Sequence, residues 1–558
     1  MNSERKDDAA GSRLGWSKHR VLAYAITATI IALVFLPAVV LPYAHHDNVR
    51  YFSKPAGRAN ISCSEDKQYG WIKRLGRPLA AEIECRINFM HTDSLADLAI
   101  LKASTAMVVV LSAWLLIHLF INIGLTPAAS ATLALLLMIL PGVQNAVMMA
   151  NLVNGTTLVA VFLAANVLLG KDAGWPRRLL TFLLLFFGFQ CYPVWVFTFP
   201  ILIGFLCLVS AMAPPEKRIF GIDKCLEALA LFAIAAFASM LLSKAVTLDG
   251  APLQETYVAD ISPAIISRIL DKGAFATMVA SKLWYLYWPP APYVLITSLI
   301  VIWSYLASNP GTRKIAFLGI GFTALSAGIG ILPWAIPKIP MALTRIVFPL
   351  SFALVLALAA GIALYSRKSP DQSGEPPSFL RRIRSRFTNW MVYCIAGIGV
   401  ITAPAVAAFS ATASAWASSV ELRFVIQTLA ERDVEKIRRV HVVRSNIDHR
   451  GYNGLPTIGD EFNRKTSHYS LDIADLVNVG LRELGSKKIA KDCRYRDPNH
   501  GRCLQDSGQS GDILVTQGSL TDPICSAVYL AIIDFSMLDH VQTRDSKPYD
   551  GPRVIRCP

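Results

Sequence analysis

Residues 21–43 read VLAYAITATIIALVFLPAVVLPY, without a single charged side chain. About 20 such residues are what a helix needs to cross the roughly 30 Å hydrocarbon core of a bilayer. Inside that core every backbone N–H and C=O must find its partner within the segment, so the run is predicted to be helical. It is longer than the apolar region of a cleaved signal peptide and lacks a clean small-x-small site, so it reads as a spanning helix. The preceding segment, 1–20, is polar and carries Arg5, Lys6, Arg13, Lys18 and Arg20. Basic residues flanking a span stay inside, so this segment is expected in the cytoplasm.

Working outward, similar runs place spanning helices near 98–122, 127–145, 152–170, 178–191, 193–212, 225–247, 284–307, 314–333, 345–365 and 389–417. That makes about eleven in all, an odd count that leaves the tail on the outer side. The stretch from Arg178 to Met212 has basic flanks at both ends and reads as a hairpin of two short helices turning at Gln190-Cys191-Tyr192-Pro193. Basic groups at Lys171/Arg177/Arg178, Lys217/Arg218/Lys224 and Arg313/Lys314 mark cytoplasmic loops. Residues 367–386 combine Arg381, Arg382, Arg384 and Arg386 with Pro370, Gly374, Pro376 and Pro377, and are expected to form a flexible cytoplasmic linker. Outward loops are expected at 44–97, 247–282 and 333–344; the Trp284, Tyr285, Tyr287, Trp288 cluster reads as an interfacial aromatic belt.

The composition agrees: 53% of the 558 residues are hydrophobic and only 17% are charged, below the roughly 25% charged share of soluble domains. The net charge of +15 comes largely from Lys and Arg at the ends of apolar runs. It therefore reads as a topology signal rather than a nucleic-acid footprint. Of the ten cysteines, Cys191, Cys207, Cys225 and Cys394 lie in or beside apolar runs. Cys63 and Cys85 sit in the first outward loop, and Cys493, Cys503, Cys525 and Cys557 sit in the tail. Both latter groups are even in number, as disulfides in an oxidising compartment require. No spacing matches a zinc site.

From residue 419 the chain changes character. Residues 438–443 (RRVHVV), 513–516 and 527–535 read as strands, and 471–484 has helical periodicity. The expected architecture is an α-helical polytopic membrane domain over 21–418 and a soluble α/β domain over 419–558 on the outer side. The tail carries no GxSxG, HExxH or P-loop signature.

The residues with most chemical content follow the first helix: Pro42-Tyr-Ala-His-His-Asp-Asn-Val-Arg-Tyr51. Ionisable groups where a chain leaves the membrane invite a functional reading. Asp47 is suited to act as a base for a sugar transfer, taking the proton of an acceptor hydroxyl as it attacks an anomeric carbon. Arg50, Arg74, Arg77 and Arg86 could neutralise a leaving phosphate. His45 and His46 could join Asp47 around a divalent ion such as Mg or Mn. Asn60-Ile-Ser62 and Asn154-Gly-Thr156 match the short N-glycosylation pattern.

Further along the loop stand Tyr69-Gly-Trp-Ile-Lys-Arg-Leu-Gly-Arg-Pro-Leu79, then Glu82, Glu84 and Arg86. An acidic motif with a following Arg outside the first helix, then Gly-Arg-Pro-Leu before the second, resembles the membrane glucosyltransferases that modify O-antigen in Gram-negative bacteria. Those enzymes belong to the GT-C class, which uses polyprenyl-phosphate sugars. The Gln190 turn and Arg345-Ile-Val-Phe-Pro349 fit the same pattern loosely. The resemblance implies a hexose transfer to a cell-surface, lipid-linked or lipopolysaccharide glycan at the periplasmic face of the inner membrane. It would make Asp47 catalytic and place Arg50 and Arg77 on the donor phosphate, with Arg345 a weaker candidate and Lys338 weaker still; Arg74 joins the donor-phosphate set from its charge beside the Asp47 segment. The chain departs from the family in one respect: where two adjacent acids are usual, the first is His46, which puts a metal held by two carboxylates in doubt.

The rival classes are a transporter or flippase and a non-catalytic envelope assembly protein. Transporters place charges near the bilayer midplane on broken helices, whereas Lys102 and Lys244 lie near predicted helix ends. An acyltransferase would want a His-centred base in the membrane, and His118 is a lone, more plausibly structural, histidine.

Overall fold

The computed structural model describes residues 18–52, 54, 62–66, 68–170, 174–212, 220–247, 267, 291–307, 313–335, 344–366, 379–437, 439–443, 473–487, 491–494, 512–516 and 531–534. These are mostly helical. In chain order, α1 (Lys18–Val40) is followed by three short helices, α2 (His46–Val49), α3 (Tyr69–Arg74) and α4 (Pro78–Ile83). Then come α5 (Leu95–Asn122), α6 (Pro127–Met138), α7 (Pro141–Met148), α8 (Leu152–Leu168) and α9 (Trp175–Cys191). After these lie α10 (Pro193–Val196), α11 (Thr198–Ala211), α12 (Ile222–Thr247) and α13 (Ala291–Ala307). The membrane part closes with α14 (Arg313–Ala335), α15 (Thr344–Ser366) and α16 (Phe379–Ala430).

Among the described residues, six helices are long and apolar enough to cross a membrane, or seven if one bent pair counts as a span. They are α1, α5, the α10–α11 stretch, α12, α14 and α15. Their outward faces are apolar: Leu33 and Val40 of α1, and Ile234, Phe237 and Leu241 of α12, are exposed. Contiguous faces of this kind are covered by lipid tails in a multi-pass membrane protein.

The expected count of about eleven is not reached on this measure. Residues 127–145 do not form a straight span: Pro141 opens a new helix, and α6 and α7 meet at 61°. Proline cannot continue the ladder of the preceding helix and biases the residue before it away from helical geometry. Helices α8, α9 and α13 have 17 residues each, about 25 Å at 1.5 Å per residue, a little short of the hydrocarbon core. The hairpin between Arg178 and Met212 turns where expected, at Tyr192 between α9 and α10. The basic stretch 381–386 is not linker: it opens the 52-residue α16, whose length of roughly 78 Å far exceeds one crossing. The helix starts just after Pro376-Pro377 and meets no further proline before Pro404. Segments 1–17, 248–266, 268–290, 336–343 and 367–378, and with them Lys338 and the Trp284 cluster, lie outside the described residues.

The packed interior centres on α7, buried over its whole length, and on α8, α11 and α15. Phe162 stacks on Phe352 at 6.1 Å, and Trp195 lies 4.8 Å from Phe348. Gly330 lets α14 approach α15: a Cβ there would sit 2.6 Å from Leu350 Cα.

Beyond α16, four short strands, β1 (Arg439–Val443), β2 (Lys491–Arg494), β3 (Asp512–Thr516) and β4 (Ala531–Asp534), form a parallel sheet in the order β2-β1-β3-β4. Helix α17 (Ile473–Glu483) lies between β1 and β2 in sequence. Its Leu476, Val477, Val479 and Leu481 share a core with Val49, Tyr51 and Phe52 of the first loop and with Leu422, Val425 and Leu429 of α16. Arg482 donates to the Lys54 carbonyl, and the Leu95 N–H donates to Glu483 at 3.0 Å. Residues of the tail thus pack directly behind the segment that bears Asp47.

Candidate functional site

The chain leaving α1 is pinned residue by residue. Lys102, buried in α5, donates from Nζ to the Tyr43 carbonyl at 2.8 Å and lies 3.2 Å from the centre of the Tyr43 ring. The Tyr43 hydroxyl donates to the Met148 carbonyl at 3.3 Å, and Asn48 Nδ2 donates to the Met149 carbonyl at 2.6 Å. The end of α7 is therefore the floor beneath α2. Next to it, Ala150 has φ +49°, a left-handed conformation unusual for a residue with a Cβ. Such backbone strain costs of order 1–3 kcal/mol and persists where the surroundings enforce it.

On this floor Asp47 stands half-exposed, with Oδ2 3.6 Å from Nη1 of Arg345. Arg345 comes from the first turn of α15, far away in sequence, and its carbonyl accepts from Trp195 Nε1 at 2.8 Å. The structure thus brings together two of the candidate residues, the expected base and an expected phosphate contact.

Arg50 lies elsewhere than expected. It is buried, donates from Nε to the Asp47 carbonyl at 2.9 Å, and its other nitrogens engage Gln68, Tyr51 and the Glu84 carboxylate. Burial works against its charge, but Tyr51, Glu84, Asp66 and Asp47 outweigh that and raise its pKa. Burial raises the pKa of Glu84, with Asp47 adding to the rise and Arg50 opposing it. Arg50 is therefore the internal tie of the loop rather than an open phosphate ligand. Glu84 lies in a π-type turn (Glu84–Phe89) next to Cys85, which is joined to Cys63 by a disulfide with a Cα–Cα distance of 5.7 Å. The bond closes a loop of 22 residues, and such closure is worth about 3 kcal/mol. Cys63→Ser is expected to lower the thermal midpoint of the purified protein, and dithiothreitol to do the same to the native chain but nothing further to the variant.

Arg77 lies on the neighbouring turn. Its guanidinium lies 4.9 Å from the centre of the Tyr192 ring. Its Nε is buried without a hydrogen-bond acceptor among the described residues. Burial lowers its pKa and the nearby Arg345 charge adds to this, while Tyr192 and Glu84 oppose it. Arg77 and Arg345 thus hold two like charges near each other, with the Arg77 Nε lacking an acceptor among the described residues.

The remaining candidates fall outside this cluster or outside description. Arg86 is exposed and paired with Glu82 at 2.8 Å. The side chains of Arg74 and His46 are not among those described; His45 is buried. Asp47 already faces a cation, and among the described residues no group of three or more His, Cys, Asp or Glu side chains could hold a metal. Cys503, Cys525 and Cys557 lie outside the described residues, as does the side chain of Cys493. His118 is exposed on α5. Sequence reasoning missed Glu84 and Tyr192 as members of the site, although both stand within the motifs that point to it.

Fold and site together define a multi-pass membrane protein with a polar, cation-rich site at the mouth of its first helix. No protein-family model and no curated protein matches the chain.

Proposed function

We propose that this chain is a GT-C-type glycosyltransferase of the inner membrane. It moves a hexose from a polyprenyl-phosphate donor to a cell-surface glycan at the periplasmic face. The observation that carries this reading is the pairing of Asp47 with Arg345 at 3.6 Å, with Arg77 close enough to Arg345 for their charges to interact. Sugar transfer needs a carboxylate for the acceptor proton and cations for the leaving phosphate, and a lipid-linked donor needs both beside the bilayer.

In this mechanism the acceptor hydroxyl attacks the anomeric carbon and gives its proton to Asp47. The bond from that carbon to the phosphate oxygen breaks, and Arg77 and Arg345 take up the charge of the departing polyprenyl phosphate. Arg50, with Glu84, holds the backbone of Asp47 in place. The bent α6–α7 pair, the three 17-residue helices and α16 also cross the membrane in this reading, restoring about eleven spans. The Cys63–Cys85 disulfide supports an oxidising, periplasmic setting for the loop. The tail is then an extracytoplasmic α/β domain that contacts the acceptor or a partner protein. A transporter would need an intramembrane charge free for its cargo, whereas Lys102 is engaged by Tyr43.

The test compares surface-glycan mass spectra of native cells, a deletion strain, and the deletion complemented with Arg77→Ala. The deletion is expected to remove a hexose-sized increment, and Arg77→Ala to restore less than about a tenth of it, as loss of a charge-assisted contact implies. Unchanged glycans in the deletion strain would overturn the transferase reading.

A further inference from the structure

Arg77 lies near a second cation, Arg345, so what holds its turn in place is itself informative. Its backbone is set by the end of α3. Gly76 adopts φ +76°, the Gly76 N–H donates to the Lys73 carbonyl at 3.0 Å, and the Arg77 N–H donates to the Ile72 carbonyl at 3.4 Å. This is the double closure of a helix end that glycine favours. Pro78 then opens α4, with the Ala81 N–H bonded to the Arg77 carbonyl at 3.0 Å.

The turn is fastened at one further point. Ser243 of α12 donates from Oγ to the Gly76 carbonyl at 2.7 Å. A Cβ on Gly76 would lie 2.8 Å from Ser243 Cβ, so the two backbones meet with no room for a side chain. The other half of the Arg77–Tyr192 stack is held by the same helix. Gln190, two residues before Tyr192, donates from Nε2 to Ser239 Oγ at 2.7 Å and contacts the Ser239 carbonyl at 3.3 Å. Ser239 and Ser243 are four residues apart and so share one face of α12. One face of a single helix thus reaches both the turn that carries Arg77 and the turn that carries Tyr192.

We propose that Ser239 and Ser243 are the positioning residues of the phosphate site, holding the Arg77 guanidinium over Tyr192 and aimed at the anion. This deepens the glycosyltransferase reading and rests on it. Neither serine touches the donor; each acts through the turn it fastens. The ligand recognised is the phosphate of a lipid-linked sugar.

The test is a double-variant cycle on the full-length protein in lipid nanodiscs, read as binding of a short-chain polyprenyl monophosphate. Arg77→Ala is expected to weaken binding about tenfold or more, and Ser243→Ala by about fivefold, in line with the loss of one hydrogen bond. In the Arg77→Ala background, Ser243→Ala is expected to change nothing further. Activity should show the same non-additivity: each single variant raises the donor KM and lowers kcat, because Arg77 both binds the phosphate and takes up charge as it departs, and Ser243→Ala adds nothing to Arg77→Ala. If Ser243→Ala yields poorly folded protein, judged by gel filtration and thermal midpoint, Ser243→Cys and Ser239→Ala carry the same cycle. If Arg77→Ala weakens binding but the serine variants do not, or their effect persists without Arg77, the positioning inference is overturned and the phosphate site stands. Binding untouched by Arg77→Ala would remove the phosphate site, and the inference with it.

Discussion

Asp47→Asn is expected to abolish hexose addition, with a fall of about 10²–10⁴-fold, the range ascribed to a positioned acid or base. Asparagine keeps the shape of the side chain and its capacity to accept a hydrogen bond from Arg345, but cannot take a proton from an acceptor hydroxyl. The position suits a clean test: Asp47 is half-exposed, and its backbone carbonyl, which the substitution leaves in place, accepts from Arg50. Membrane abundance should therefore match the native protein on a blot. Surface-glycan mass spectra of the complemented deletion strain give the answer. A missing increment at equal abundance supports the assigned base; full restoration would place the base elsewhere even if the enzyme class survives.

The second large effect is on stability. Glu84→Ala is expected to destabilise the fold by about 3–5 kcal/mol, because it leaves the Arg50 guanidinium buried without its carboxylate. Burial of both partners is what makes the difference: the exposed Arg86–Glu82 pair is screened by water, and Arg86→Ala should hardly move the thermal midpoint. Replacing both partners, as Arg50→Met with Glu84→Leu, should recover much of the loss, since apolar groups of similar size need no compensation for charge. Thermal unfolding of the detergent-solubilised protein distinguishes these cases. A Glu84→Ala protein as stable as the native chain would mean that water reaches Arg50.

These effects divide along the line between what is legible in sequence and what is not. Residues 21–43 and their counterparts announce helices because lipid leaves the backbone no other choice, and apolarity is a local property that any window of the chain reports. The helix 473–483 is legible from its periodicity for the same kind of reason. The bend at Ile139-Leu140 was readable in principle, since Pro141 stands at it, but hydropathy alone runs straight through. Asp47, His46, Arg50, Arg74, Arg77 and Arg345 are legible as candidates from short motifs around charges at membrane exits, with nothing in them to separate Arg50 from Arg77.

The tertiary structure alone decided how those residues are used. It turned Arg50 inward to Glu84 and left Arg77 on Tyr192. It drew Arg345 to Asp47 across the length of the membrane domain, set α17 behind the Asp47 segment, and fastened two turns to one face of α12. The physical reason is that pairing is a matter of distance and desolvation. Every arginine carries the same charge in the sequence, and only the packed fold determines which one is buried with a carboxylate and which is left with a charge to offer a ligand.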